Sequence, residues 1–389
     1  MVYRFKKTLI AMDPAWRTAL LEWAAVRLGL AAWAAWIWFQ QLMPVTGGYF
    51  YYTVAPLLDG WQGALMGMWQ RWDSIHYQAI AENFYSADYL SAFFPAYPLL
   101  GRFLSGISGL SPLAALLILS NLAVLFSLVL LHRITLDLFG EKAAGRSLLS
   151  MLLFPTAFFL FGAYPQSLSL LWMLLAYDQA RRGHWLIVGL TGLIAGMTHG
   201  TVVPMAAMLA VQAFETLRGS RFSVRWLALT GVIGMPFLGT ALFMAWREAM
   251  GFPAFIDVQM LGWDRIVGFP WEPIMALFQG FPGNYMGNWV LFLNTALLVV
   301  AGFSVYWAIR HLPLALKVYQ VTLFLFLLTT RSTFDPLLSF DRFILVMFPL
   351  FIFLGAVRRG KIGNMVYFSV SVLLSMGVSA MYFMWKWIG

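Results

Sequence analysis

The sequence predicts an all-α, polytopic membrane protein, and three observations carry the prediction. Of 389 residues, 61% are apolar and only 11% charged, with a mean hydropathy of +0.77. A soluble domain carries roughly twice that charged fraction. Apolar runs of helical length recur from end to end, and lysine and arginine gather in alternate connections between them.

About eleven transmembrane segments are expected, near residues 18–41, 112–131, 147–163, 166–180, 184–199, 201–217, 226–248, 288–309, 314–330, 342–357 and 363–385. Several are shorter than the roughly 20 residues of a straight span, so broken or tilted helices are expected, above all within 147–217. Residues Met1 to Arg17 are basic, and the run that follows is long enough to stay in the bilayer, so no cleavable leader is expected. The whole of 1–389 reads as one membrane-embedded domain.

Charge sets the orientation. Seventeen basic residues flank the spans on one side, including Arg4, Lys6, Lys7, Arg133, Lys142, Arg181, Arg182, Arg221 and Arg359. Seven lie opposite: Arg71, Arg102, Arg247, Arg265, Arg331, Arg342 and Lys386. The asymmetry puts the N-terminus in the cytoplasm and makes the net charge of +9 a topology and anionic-lipid signal, with no nucleic-acid partner. Ten acidic residues fall on the non-cytoplasmic side, together with two long connections, 42–111 and 249–287. Long loops in a compact protein are usually functional, so any chemistry is expected outside. The chain has no cysteine, which excludes disulfides and thiolate catalysis. Its five histidines are scattered, so neither a His-based metal site nor any cofactor is expected.

The first long connection carries Trp72-Asp73-Ser74-Ile75-His76-Tyr77 in an aromatic-rich island running from Tyr49 to Tyr97. Asp73 and His76, three apart, share one face of a helix, with Tyr77 one turn on from Asp73. Short amphipathic helices are expected here. The hexapeptide fits a reaction site and fits equally a surface-lying helix with solvated charges. Anchoring at headgroup depth accounts for most of the aromatic rings, and Pro95 and Pro98 fix a stiff return to the membrane.

Gln259, Trp263 and Arg265 form a second cluster that suits a hydroxylated or anionic group, or an ordinary solvated loop. Arg331 and Arg342 bracket a third connection. An arginine beside the bilayer often snorkels, yet two facing outward suit a phosphate clamp. Glu22 and Arg27 fall inside the first span, where ionisable groups are costly. Tyr164-Pro165-Gln166-Ser167 reads as a tight outer turn, and His199 as either a pocket residue or an interhelical one.

The ordered set of landmarks resembles the PIG-V family of mannosyltransferases within the GT-C membrane glycosyltransferases. It runs through Arg71-Trp72-Asp73 with His76-Tyr77, Ala92-Phe93-Phe94-Pro95-Ala96-Tyr97-Pro98, Tyr164-Pro165-Gln166-Ser167-Leu168, and Val258-Gln259 with Trp263 and Arg265. It ends with Ser339-Phe340-Asp341-Arg342-Phe343 before Phe348-Pro349-Leu350-Phe351. Two stretches depart from the pattern: Thr198-His199-Gly200-Thr201 stands where the family commonly has Thr-Arg-Ser-Asn-Gly, and Arg342-Phe343 where it has Arg-Tyr.

The resemblance implies the GT-C fold and inverting transfer of mannose from a polyprenyl-phosphate donor to a lipid or glycolipid acceptor at the non-cytoplasmic face. It makes Asp73 the base and His76 its orienting partner. Trp72, Tyr77, Tyr97, Tyr164, Gln166, His199, Gln259, Trp263 and Arg265 become substrate contacts, and Arg331 and Arg342 the donor-phosphate ligands. A non-catalytic lipid-sugar binder or flippase is the alternative, and a secondary transporter the third; the latter is disfavoured by the absence of an internal repeat. No Asn-X-Ser/Thr sequon occurs, which leans toward a bacterial plasma membrane over an endoplasmic reticulum.

Overall fold

The computed structural model describes residues 12–42, 54, 56–57, 59–219, 223–278, 288–386 and 388. The basic residues Arg4, Lys6, Lys7 and Arg221 and the aromatic Tyr49, Phe50, Tyr51 and Tyr52 lie outside them.

In chain order the helices are α1 (Pro14–Phe39), α2 (Gly60–Leu65), α3 (Asp73–Asn83), α4 (Ala96–Ser108), α5 (Pro112–Phe139), α6 (Glu141–Leu152), α7 (Gln166–Arg181), α8 (Trp185–Gly196), α9 (Met205–Leu217), α10 (Val224–Ala249) and α11 (Phe255–Trp263). Strand β1 (Ile266–Val267) follows, then α12 (Glu272–Phe278), α13 (Asn288–His311), α14 (Leu314–Leu327), strand β2 (Thr330–Arg331), α15 (Phe340–Phe343), α16 (Phe348–Ala356) and α17 (Lys361–Phe383).

Among the described residues, six helical stretches are long and apolar enough to cross a bilayer: α1, α5, Gly200–Leu217, α10, Trp289–His311 and α17. They coincide with six of the eleven expected spans. The spans at 184–199 and 314–330 are the shorter apolar helices α8 and α14. The span at 166–180 is the 16-residue α7. The remaining two are broken. Pro155 follows the end of α6, and a proline excludes the residue before it from the helical region. The 342–357 stretch divides into α15, a turn of 3-10 helix and α16, which begins at Phe348-Pro349. The chain is an integral membrane protein.

Small residues set the closest approaches. A methyl group on Gly196 would lie 2.0 Å from the Pro236 carbonyl, and one on Gly239 would lie 2.1 Å from the Leu193 carbonyl. Helices α8 and α10 therefore pack backbone to backbone, as membrane helices do where glycine lets them. That seam fixes the turn after α8, whose Met197 carbonyl accepts from the Ala96 N–H at the start of α4 (2.8 Å). His199 is placed by this turn.

The core is richest around α5, α7 and the 154–164 segment, where Phe158, Phe159, Phe161 and Tyr164 are buried. Arg27 of α1 donates to Asn121 Oδ1 on α5 (3.1 Å) and lies 4.8 Å over the Trp69 ring. It thus ties the first helix to the turn that precedes Asp73. Helix α3 is buried through Ser74, Ile75 and Tyr77 to Ala81, so it lies within the protein and not on a surface.

Candidate active site

Asp73 begins α3, and the chain before it is held in a strained shape. Trp72 has φ 52° and ψ −130°, a backbone conformation that bulky side chains rarely adopt. Its neighbour over-determines it. Arg71 is buried and donates to the carbonyls of Gly67 (2.7 Å), Gln70 (3.0 Å) and Phe383 (3.2 Å). The Arg71 carbonyl in turn accepts from the Tyr164 hydroxyl (2.8 Å) and from Ser74 Oγ (2.7 Å). Buried polar groups must be bonded, so these contacts leave the turn one arrangement. The result aims the Asp73 carboxylate outward from a helix N-terminus, where a negative charge is favoured.

The Asp73 carboxylate meets Arg342, whose Nη1 lies 2.5 Å from Oδ2. Arg342 sits on α15 and is itself fixed. Its Nη2 donates to Ser339 Oγ (3.1 Å), and its guanidinium lies between the Phe159, Tyr164 and Phe343 rings at 5.0–6.0 Å. Ser339 turns the chain into α15 at φ 61°, and Thr156 Oγ1 donates to the Asp341 carbonyl (2.7 Å). Burial pushes the Asp73 carboxyl up. Arg342, with His76 and Arg265 behind it, pulls it further down, so it stays below the ordinary carboxylate value. At neutral pH it is ionised.

These two side chains open onto a cavity of about 200 Å³. Its walls come from α3, the 92–94 and 199–201 turns, α11, the β1–β2 ribbon, α14 and α15, with Phe94, Phe255, Phe326 and Phe343 supplying much of the apolar lining. The ribbon pairs Ile266 with Arg331 and Val267 with Thr330. It joins the chain after α11 to the chain after α14 and closes that side.

The structure brings Asp73, Tyr77, His199, Gln259, Trp263, Arg265 and Arg342 together on this wall, from positions 269 residues apart at the extremes. Gln259 Nε2 donates to the Ala92 carbonyl (3.3 Å). Trp263 stands edge-on to Phe93 at 5.3 Å. His199 Nδ1 accepts from the Thr201 N–H (3.2 Å), which leaves the proton on Nε2. Burial pulls its imidazole down to about 3, with Arg342 and Arg265 adding to the effect, so the ring is neutral.

The other expected contacts sit behind that wall or away from it. The His76 ring packs with Tyr89, Phe93 and Trp263 at 5.1–6.2 Å, and burial holds its pKa below the usual value although Asp73 opposes this. Trp72 packs against Trp385. The buried Tyr97 hydroxyl bonds to the Leu116 carbonyl (3.1 Å) and Ser120 Oγ (2.7 Å), joining α4 to α5. Tyr164 supports Arg71, and Gln166 is buried at the start of α7. Arg331 and Arg342 are not brought together. Arg331 Nε pairs with Glu272 Oε2 (3.3 Å) and is not among the described lining residues.

Sequence reasoning passed over Arg247, counted only as an outer basic residue. It is buried at the end of α10 and donates to the Ser91 carbonyl (2.8 Å), Ser91 Oγ (3.0 Å) and the Pro253 carbonyl (2.9 Å). It fastens the 88–92 turn to the start of the second long connection, and so holds Phe93 and Phe255 in place. Its position at the end of a long apolar run, Trp226 to Trp246, was the available signal.

Residues 53–242 match the model of the mannosyltransferase (PIG-V) family, a match that supports glycosyl transfer as the class of reaction. The matched stretch contains Asp73, His76 and His199 and ends before Arg265 and Arg342.

Among solved structures, the chain aligns with the oligosaccharyltransferase of Archaeoglobus fulgidus in complex with Zn and sulfate, at 12% identity and a TM-score of 0.43. That alignment covers 92% of this chain and 53% of the other. The archaeal oligosaccharyltransferase AglB from the same organism, in complex with an inhibitory peptide and a dolichol-phosphate, aligns at 14% identity and a TM-score of 0.41, over 92% and 55%. The chain spans about half the length of these structures. No curated protein matches it.

Proposed function

We propose that the chain moves mannose from a polyprenyl- or dolichyl-phosphate-linked donor to a lipid or glycolipid acceptor, with inversion, at the non-cytoplasmic membrane face. The observation that carries this reading is the ionised Asp73 opening onto an arginine-containing cavity. Both long connections assigned to the outer side contribute to its walls, which supports the outward orientation.

Inversion is a single in-line displacement. The acceptor oxygen attacks the anomeric carbon, its proton passes to Asp73, and the bond from that carbon to the phosphate oxygen breaks with its electron pair leaving on the phosphate. The reaction needs a base held ionised within reach of the acceptor hydroxyl, and positive charge where the phosphate departs. Asp73 is ionised because Arg342 faces it. Arginine charge in the same cavity offsets the leaving phosphate. His76 is a positioning residue: it packs behind Asp73 among aromatic rings. Trp263, Phe93 and Phe343 offer apolar faces to a sugar ring. Gln259 and His199, with its proton on Nε2, offer hydrogen bonds to hydroxyl groups.

The test is transfer from polyprenyl-phospho-mannose to a panel of lipid acceptors by the purified protein. Asp73→Asn keeps the size and most of the hydrogen bonding of the carboxylate but lacks a useful proton acceptor. It is expected to lower the transfer rate at least ~10²-fold while donor binding persists, and His76→Ala to lower it less. Transfer by Asp73→Asn at the wild-type rate would remove Asp73 as the base.

A further inference from the structure

We infer that Arg265 is the seat of the donor's phosphate, an inference that rests on the transfer reading above and changes which arginine performs that task. The argument is a charge count over the cavity wall. Four ionisable groups of the wall matter: Asp73, His199, Arg265 and Arg342. Asp73 and Arg342 are bonded to each other, and their charges cancel locally. His199 is neutral. Arg265 remains, and among the described residues no acid forms an ion pair with it. Arg331, the other outward arginine of the sequence, already has Glu272 and does not line the cavity.

The geometry of Arg265 agrees. Its Nε is buried without a hydrogen-bond partner, and its guanidinium lies 5.4 Å from the centre of the Phe343 ring. The same ring carries Arg342 at 5.0 Å, so two cations share one phenyl group. Burial, and then the repulsion of Arg342, lowers Arg265 to about 10, which still leaves it protonated at neutral pH. A half-buried cation whose Nε is buried and unbonded, and which no acid among the described residues pairs, is costly, and it persists where an arriving anion completes it. A phosphate oxygen is the acceptor that a planar guanidinium fork suits best.

The chain also fixes where Arg265 can reach. Asp264 before it takes the left-handed conformation at φ 50°, and its carboxylate accepts from the Thr333 N–H (2.7 Å) and hydroxyl (2.5 Å). Ile266 after it pairs in the β1–β2 ribbon. Arg265 is thus anchored on both sides while its head faces the cavity. In the displacement, the electron pair of the broken carbon–oxygen bond settles on the phosphate oxygen beside Arg265. Arg342 stays with Asp73 and keeps the base ionised. The two arginines divide the work, one serving the base and the other the leaving group.

The test uses the full chain in phosphatidylcholine nanodiscs, with a short-chain polyprenyl monophosphate as the probe and the uncharged polyprenol as control. Arg265→Gln is expected to weaken monophosphate binding by about tenfold or more, the span for hydrogen bonds to a charged group, and to leave polyprenol binding unchanged. Arg265→Lys keeps the charge without the fork and is expected to fall between, which preserves the test should the glutamine variant misfold. Arg331→Gln is expected to bind like wild type. Monophosphate binding by Arg265→Gln at wild-type strength, or an equal loss in Arg331→Gln, overturns the assignment. So does displacement of the probe by phosphatidic acid added to the disc, which would make the cavity a general anionic-lipid site. Wild-type protein that fails to prefer the monophosphate over polyprenol would instead defeat the donor reading itself.

Discussion

Two ion pairs on neighbouring parts of this chain have the same chemistry and different surroundings. Arg342 and Asp73 meet with side chains 6% and 15% exposed, while Arg331 and Glu272 meet with both at 32%. The first pair is walled by Phe159, Tyr164 and Phe343 and opens only to the cavity. The second sits on a two-residue ribbon whose backbone already holds the chains together, with Gly268 N–H donating to the Thr329 carbonyl (2.8 Å). Burial decides what each pair can do. Inside, the field of one charge governs the protonation of the other; outside, water and salt screen it.

The comparison breaks most severely one residue from Arg342. Asp341 is fully buried, and neither carboxylate oxygen has a hydrogen-bond partner among the described residues. Burial raises its pKa to about 8, against the pull of Arg342 and with Asp335 adding to the rise. Asp341 thus stays protonated at neutral pH and leaves Arg342 to Asp73. Because the folded-state pKa lies above the unfolded one, this proton's contribution to stability is complete below pH ~4. It is lost as pH rises through about 8. The expected loss across that window is on the order of 5 kcal/mol, at about 1.4 kcal/mol per unit. Thermal melts of wild type and Asp341→Asn against pH check this: the wild type should lose stability toward pH 8 relative to the variant. Parallel curves would show that Asp341 is ionised in the folded protein.

A smaller effect is expected at Arg342 itself. Arg342→Gln removes the main group that opposes burial at Asp73, so the Asp73 carboxyl moves up and part of it is protonated at neutral pH. Transfer is expected to fall about 10²-fold, the scale for losing one electrostatic stabiliser. The acid limb of the rate profile is expected to move to higher pH, so raising the pH recovers part of the loss. A uniform loss at every pH would mean that Arg342 acts on the substrate and not through Asp73.

How much of this was legible in the sequence follows the same division. Asp73, Gln259, Trp263, Arg265 and Arg342 were singled out from ordered motifs, and the fold delivers all five to one cavity. The pairing of Arg331 with Arg342 was read from their closeness along the chain. Spacing could not show that Ser339 turns the chain at φ 61° while β2 commits Arg331 to the ribbon. A break within 147–217 was expected from its short segments, but the place of that break and the division of 342–357 escaped for a related reason. Hydropathy records how apolar a stretch is and says nothing of where interior prolines and side-chain bonds divide it, and Thr156 holding the Asp341 carbonyl is such a bond. The burial of α3 was hidden because its polar residues find partners inside the protein, as Gln78 does with Gln70 of the preceding turn at 2.9 Å.

The smallest effect is expected at the exposed pair. Arg331→Gln or Glu272→Gln removes one ionic contact from a ribbon held by backbone bonds, and partly exposed ion pairs of this kind contribute little. Transfer is expected to stay within about threefold of wild type, and raising the salt concentration should narrow even that difference, since salt screens the wild-type contact that the variants lack. The double variant should match the singles, because nothing is left to lose once either partner is gone. A large loss in Arg331→Gln that Glu272→Gln does not share would place the Arg331 guanidinium on the substrate. That result would reunite the two arginines as one clamp and erase the distinction between the pairs. Equal, slight effects would leave the Glu272 contact a fastening of the cavity's rim, with the chemistry confined to Asp73, Arg265 and Arg342.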